Sequence, residues 1–179
     1  ENAEFHFRRA NDIFLENTGE PHPNTAASFI SLAELALLQQ HYEEALQWNQ
    51  KGMQANMLNP TACEGDDPLQ CVRCQMESRV MDKDFWMVGL QQLAQILEEN
   101  EQLEEALATH GYLAEWIDQL RYSYRAEGSQ LELQEKARKS YEDAIRLLYS
   151  INQESPDPTL LEQAFFYAEK GRAVQLLQA

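Results

Sequence analysis

Large apolar and small residues recur along this chain at spacings of three and four, the period of an α-helix with one buried face. The pattern is clearest in the pentads YEEAL (Tyr42–Leu46), LEEAL (Leu103–Leu107), YEDAI (Tyr141–Ile145) and LEQAF (Leu161–Phe165). Each sets two large apolar residues around an alanine and two polar positions. No segment alternates strictly between apolar and polar, so strands are not expected. The reading is all-α, with about seven main helices over 2–17, 24–39, 42–56, 84–99, 103–126, 130–151 and 159–178. Glycine is sparse (7 residues) and the prolines fall between these segments. Gly128 reads as a stop signal, with Ser129-Gln130-Leu131-Glu132 as a capping box opening the next helix. Thr159-Leu160-Leu161-Glu162 reads as a second box opening the last one, whose packing face is expected at Leu161, Ala164, Phe165, Ala168 and Leu176.

Two of the helical segments repeat two others. Phe29, Leu32, Ala33, Ala36, Tyr42, Ala45, Asn49 and Gly52 have counterparts 61 positions later, at Leu90, Leu93, Ala94, Leu97, Leu103, Ala106, His110 and Leu113. A partial copy, Ala3, Phe7 and Ala10, precedes Ala45, Asn49 and Gly52 by 42 positions. Each full copy has two helical blocks split by a short break, at Gln40-His41 in the first, which describes two antiparallel helices joined by a tight turn. Ala33 and Ala45 fall where the two helices should cross, and a larger side chain there would hold the backbones apart. The longer second interval implies an irregular insertion at about 57–83.

These features resemble tetratricopeptide repeats (TPR), helix–turn–helix units with small residues at the crossings. The resemblance implies a right-handed superhelix of hairpins forming one solenoid domain over 1–179. Asn49 and His110 depart from it, since an aromatic or aliphatic residue is usual there. From Leu103 to Ala179 the chain is similar to the repeat region that precedes a CHAT domain, a caspase-like peptidase domain of bacterial proteins. That similarity implies a fragment of a longer chain, with the catalytic His and Cys of such a domain lying outside it.

Charge narrows the partners. With 30 acidic and 14 basic side chains the formal net charge is −16. Nucleic acid and anionic membrane surfaces both call for a basic face, so neither is expected as a partner. No apolar run reaches the roughly 20 residues of a membrane span, and a cytoplasmic location is expected. In the resemblance, the first helix of each pair lines a concave wall, which places Ala27, Ile30, Glu34 and Leu37, and by the 61-residue shift Val88, Gln91, Gln95 and Glu98, at a peptide groove. This wall is apolar and acidic, with no Lys or Arg. It suits a protein or peptide of some basic character, or the following domain of the same chain.

Candidate chemistry is thin. Cys63, Cys71 and Cys74 include a CxxC pair, half of a zinc site or a redox pair. No second CxxC or nearby histidine completes a site, although Asp66 or Asp67 could contribute; reduced thiols are the reading adopted. His6, His22, His41 and His110 are scattered, without a nucleophile beside them. No catalytic residue, metal or cofactor is assigned, and an enzyme is not expected. The functional expectation is a protein–protein interaction scaffold that regulates or presents a following CHAT-type domain. The alternative is a small-ligand sensor with an aromatic pocket near Trp116, Tyr112 and Tyr141, between the C-terminal helices.

Overall fold

A computed structural model describes residues 2–58, 72, 80–123 and 127–176. Among these residues every regular element is helical: α1 (Asn2–Thr18), α2 (Pro23–Leu38), α3 (Tyr42–Ala55), α4 (Lys83–Glu99), α5 (Leu103–Ser123), α6 (Glu127–Glu154) and α7 (Pro158–Leu176). No helix among them is long and apolar enough to cross a membrane. Two compact units divide the chain, Glu1–Gln102 and Leu103–Ala179.

In the first unit α2 packs on α1 and α3, and α4 packs on both α3 and α2. The apolar faces of α2 and α3 meet at Ala26, Phe29, Leu32 and Ala55, with Leu15, Trp48 and Phe85 closing over them. A second cluster joins Ala36, Ala45 and Ile96. Ala33 and Ala45 are both fully buried, as a crossing requires, and Ala94 and Ala106 are buried too. Glycine sets two further contacts. A Cβ added at Gly52 would lie 2.8 Å from Ile30 Cγ1 and 3.2 Å from the Ala26 carbonyl. One added at Gly89 would lie 2.9 Å from Met53 Cγ. Both separations are shorter than a carbon contact tolerates, so the α2–α3 and α3–α4 approaches depend on a missing side chain.

The 61-residue register is written into the backbone as well. Gln40 (φ 61°) and Glu101 (φ 59°) both adopt the left-handed conformation just after a helix. Around them the hydrogen bonds match: His41 N–H to Ala36 O and Gln40 N–H to Leu37 O, then Gln102 N–H to Leu97 O and Glu101 N–H to Glu98 O. This is the Schellman arrangement, which satisfies the last carbonyls of a helix; glycine is the usual residue at its left-handed position.

The base of the expected insertion is closed. Met57 and Val80 form an antiparallel bridge. Asn56 Nδ2 donates to Asp82 O at 2.7 Å, its Oδ1 accepts from Asp82 N–H at 3.0 Å, and Met81 N–H donates to Asn56 O at 2.8 Å. Asp82 in turn caps α4 through Phe85 N–H. Cys63, Cys71, Cys74, Asp66 and Asp67 lie outside the described residues.

The second unit packs α6 against both α5 and α7. Ala137, Tyr141, Ala144 and Leu148 are buried along α6 as the spacing predicts, and Leu113, Ile117 and Leu120 along α5. Three boundaries among the described residues of this unit differ from expectation: α6 ends at Glu154 rather than at 151, and both α6 and α7 start elsewhere. The helix does not start at a Ser129 box: α6 runs through Gly128 and Ser129 from Glu127. A single glycine costs about 1 kcal/mol in a helix, which packing along so long a helix offsets. The last helix starts one residue early, at Pro158, and Asp157 takes the cap expected of Thr159. Its Oδ1 accepts from Thr159 N–H and its Oδ2 from the Thr159 hydroxyl, which holds the Asp157 carboxyl below its usual pKa. Proline suits the first helical position because its missing N–H would have no partner there.

The face of α7 also differs. Leu161 (58% exposed) and Phe165 (64%) point outward, Ala164 and Ala168 are half-buried, and Tyr167 is the buried residue. Its ring lies 6.1 Å from that of Tyr141. The side chain of Leu176 lies outside the described residues.

Candidate functional site

The expected groove residues divide by environment. On α2, Ala27 and Glu34 are exposed and Leu37 is half-buried, packed against the Ala36–Ala45–Ile96 cluster. Ile30 is not a groove residue: it is buried, because its side chain fills the space that Gly52 leaves on α3. On α4, Val88 and Gln95 are exposed, and Gln91 and Glu98 are half-buried. The two helices are joined directly, with Gln92 Nε2 donating to Ile30 O at 3.0 Å. Seven of the eight expected residues thus remain accessible on two helices that lie side by side, and their charged members are Glu34 and Glu98.

Asn49, the first departure from the repeat pattern, holds this wall from behind. Its Nδ2 donates to Gly89 O at 3.0 Å and to Gln92 Oε1 at 2.9 Å. A buried amide in place of an apolar side chain links α3 to α4, and through Gln92 to α2. The sequence marked Asn49 as unusual but gave no partner for it, since Gln92 lies 43 residues away.

A second polar knot ties α1 to the same unit. Trp48 stacks on Phe29 at 5.7 Å between ring centres, and both Arg8 (5.4 Å) and Lys51 (4.5 Å) lie over its ring. Its Nε1 donates to Glu44 Oε1 at 3.1 Å, which also accepts from Arg8 Nη2 at 2.8 Å. The indole bond, with Arg8 beside it, holds the Glu44 carboxyl below its usual pKa. Deeper in, the Ser28 hydroxyl donates to Asn11 Oδ1 at 2.6 Å. Arg8 is thus held by Glu4, Glu44 and the Trp48 ring.

In the second unit the aromatic residues expected near a pocket differ in burial. Trp116 and Tyr141 are buried and Tyr112 is half-buried. Burial pushes the Tyr141 hydroxyl up to about 12, and raises that of Tyr167 as well. Among the described residues the Tyr141 hydroxyl has no hydrogen-bond partner. A cleft of about 540 Å³ lies elsewhere, between α5 and α7, lined by Leu107, Ala108 and Gly111 on one side and Thr159, Glu162, Gln163, Phe166 and Tyr167 on the other. Toward the other ends of these helices Asp118 on α5 pairs with Lys170 on α7, and with Arg121 at 3.2 Å.

The four histidines lie apart in different surroundings. His22 caps α2 by accepting from Asn24 N–H, His6 is exposed beside Phe5, His41 lies at the start of α3 near Glu44, and His110 is buried. No group of His, Cys, Asp and Glu able to hold a metal ion occurs among the described residues. No known family model matches the chain, and no curated protein does so either.

Proposed function

We propose that the chain is a protein-interaction module whose α2–α4 wall binds a peptide or helix carrying apolar anchors and basic side chains. The observation that carries this reading is the pairing of α2 and α4 through Gln92 and Ile30. On this reading Ala27, Val88 and Leu37 share one binding surface with Glu34 and Glu98, each of them at least partly exposed. Apolar contact supplies affinity there, while the carboxylates select the sign of the partner. The resemblance to repeats that precede CHAT domains gives this binding a purpose, the control or presentation of such a domain in a cytoplasmic protein. The small-ligand alternative is less favoured, because Trp116 and Tyr141 are committed to packing. An anisotropy titration tests the proposal: a labelled helical peptide with leucine anchors and lysine flanks is compared with its glutamate-flanked counterpart. Preference for the lysine peptide, lost in the Glu34→Lys, Glu98→Lys double variant, is expected. Equal binding of both peptides, or indifference to the double variant, would contradict it.

A further inference from the structure

The four helical glycines whose surroundings are described do not share a purpose. Gly52 and Gly89 sit where a neighbouring side chain would collide with a Cβ, and a Cβ at Gly171 would lie 3.9 Å from Tyr141 Cδ2. Gly111 is different. It lies inside α5, and a Cβ there would meet nothing within 4 Å. Glycine is disfavoured within a helix, because it loses the most backbone freedom on ordering and brings no contact in return. No contact among the described residues requires it at this position. Nor does the repeat require it, since the residue 61 positions earlier is Gln50.

The open space at Gly111 is the cleft between α5 and α7. Its walls are mostly apolar or aromatic, with Leu107, Ala108, Phe166 and Tyr167 in contact with it. Phe166 is half exposed. Among the described residues Glu162 is the only charged one lining it. The nearest cation on α7, Lys170, lies over the Phe166 ring and is paired with Asp118. A surface that is bare at one helical position, apolar around it and negative at its rim has the anatomy of a docking pocket for a side chain bearing positive charge beside apolar bulk.

We infer that the α5–α7 cleft is a second docking site, which receives a partner peptide presenting an aliphatic or aromatic anchor next to a lysine or arginine. The anchor lies against Gly111, where the absent side chain allows close approach to the α5 backbone, and between Leu107 and Phe166. The cation pairs with Glu162. The site belongs to the second unit alone and does not depend on the α2–α4 wall.

The test uses the full chain and a library of short helical peptides, each with one Phe or Leu anchor and one adjacent Lys, beside a matched set with Glu in place of Lys. Binding is read by anisotropy, folding by circular dichroism and thermal melting. Gly111→Leu fills the cleft while improving helix propensity; it should lose roughly tenfold or more in affinity with an unchanged or higher Tm. Ala108→Leu on the same wall serves as a second blocking variant should Gly111→Leu misfold. Glu162→Lys should turn preference toward the Glu set, and Glu34→Lys on the other surface should leave cleft binding intact. The proposal is overturned if no Lys peptide outbinds its Glu partner, or if both blocking variants bind as the parent does. It is equally overturned if sedimentation shows the parent self-associating through the cleft and Gly111→Leu abolishing that association, since the occupant would then be a second copy of the chain.

Discussion

The two units bury alanines alike, at Ala33 and Ala45 in one and at Ala137 and Ala144 in the other, but they differ in their glycines. In Glu1–Gln102, alanine and glycine are where the helices touch: Ala33, Ala45, Gly52 and Gly89 are buried, and the two glycines leave no room for a methyl group. Hydrogen bonds from Asn49 and Gln92 then fix which turn faces which. In Leu103–Ala179, the glycine of α5 faces open space, and apolar side chains of α7 are left in solvent. Glycine is a contact point in the first unit, while on α5 of the second it borders an open cleft.

Enlarging a fitted position should have the largest effect. Ala45→Leu inserts a branched side chain between Ala36 and Ile96 and should destabilise by about 3 kcal/mol; denaturant unfolding followed by circular dichroism would read it. If the stability stayed within experimental error, the first unit would not be close-packed at the crossing. Removing the polar tie should come next. Asn49→Ala strips Gln92 of one of its partners and opens a small cavity, for an expected loss of about 2 kcal/mol.

The second unit should show its own signature in alkali. The Tyr141 hydroxyl is raised to about 12, so the folded state holds this proton more tightly than the unfolded chain does. The sign follows: the contribution is intact below pH 10, and is lost as pH climbs from 10 through 12, by on the order of 2 kcal/mol. Tyr167, raised by the same burial, acts in the same direction. Tyr141→Phe should reduce this alkaline loss, and at neutral pH should cost little, because the hydroxyl it removes has no hydrogen-bond partner among the described residues. A steep loss of neutral-pH stability in that variant would mean the hydroxyl is bonded in solution. The smallest effect belongs to the turns: Gln40→Gly and Glu101→Gly relieve left-handed backbone at a side-chain-bearing residue and should each stabilise by up to about 1 kcal/mol.

The helical period and the 61-residue register could both be read from the residues, and the structure repeats them down to the turn after α2 and the turn after α4. Burial of Ala33 and Ala45 was legible for the same reason, since only small side chains satisfy a close crossing. The role of Asn49 was not, because it depends on a partner far along the chain. Ile30 was misplaced because its position on the helix looks outward until Gly52 provides a hollow for it. The orientation of α7 was hidden by composition: Leu161 and Phe165 form one apolar stripe, Phe166 and Tyr167 another, and periodicity does not choose between them. Burial of Tyr167, with its ring tilted against that of Tyr141, does. At the start of α7, Asp157 and Thr159 are both good capping residues, and the chain uses them together.

Placing one methyl group at each of two glycines measures the contrast between the units most directly. Gly52→Ala and Gly111→Ala are unfolded side by side at equilibrium as full chains, each compared with the parent. Gly52→Ala should destabilise by about 1–3 kcal/mol through the collision with Ile30, whereas Gly111→Ala should stabilise by about 1 kcal/mol through helix propensity alone. Changes of the same sign at both positions would contradict the account.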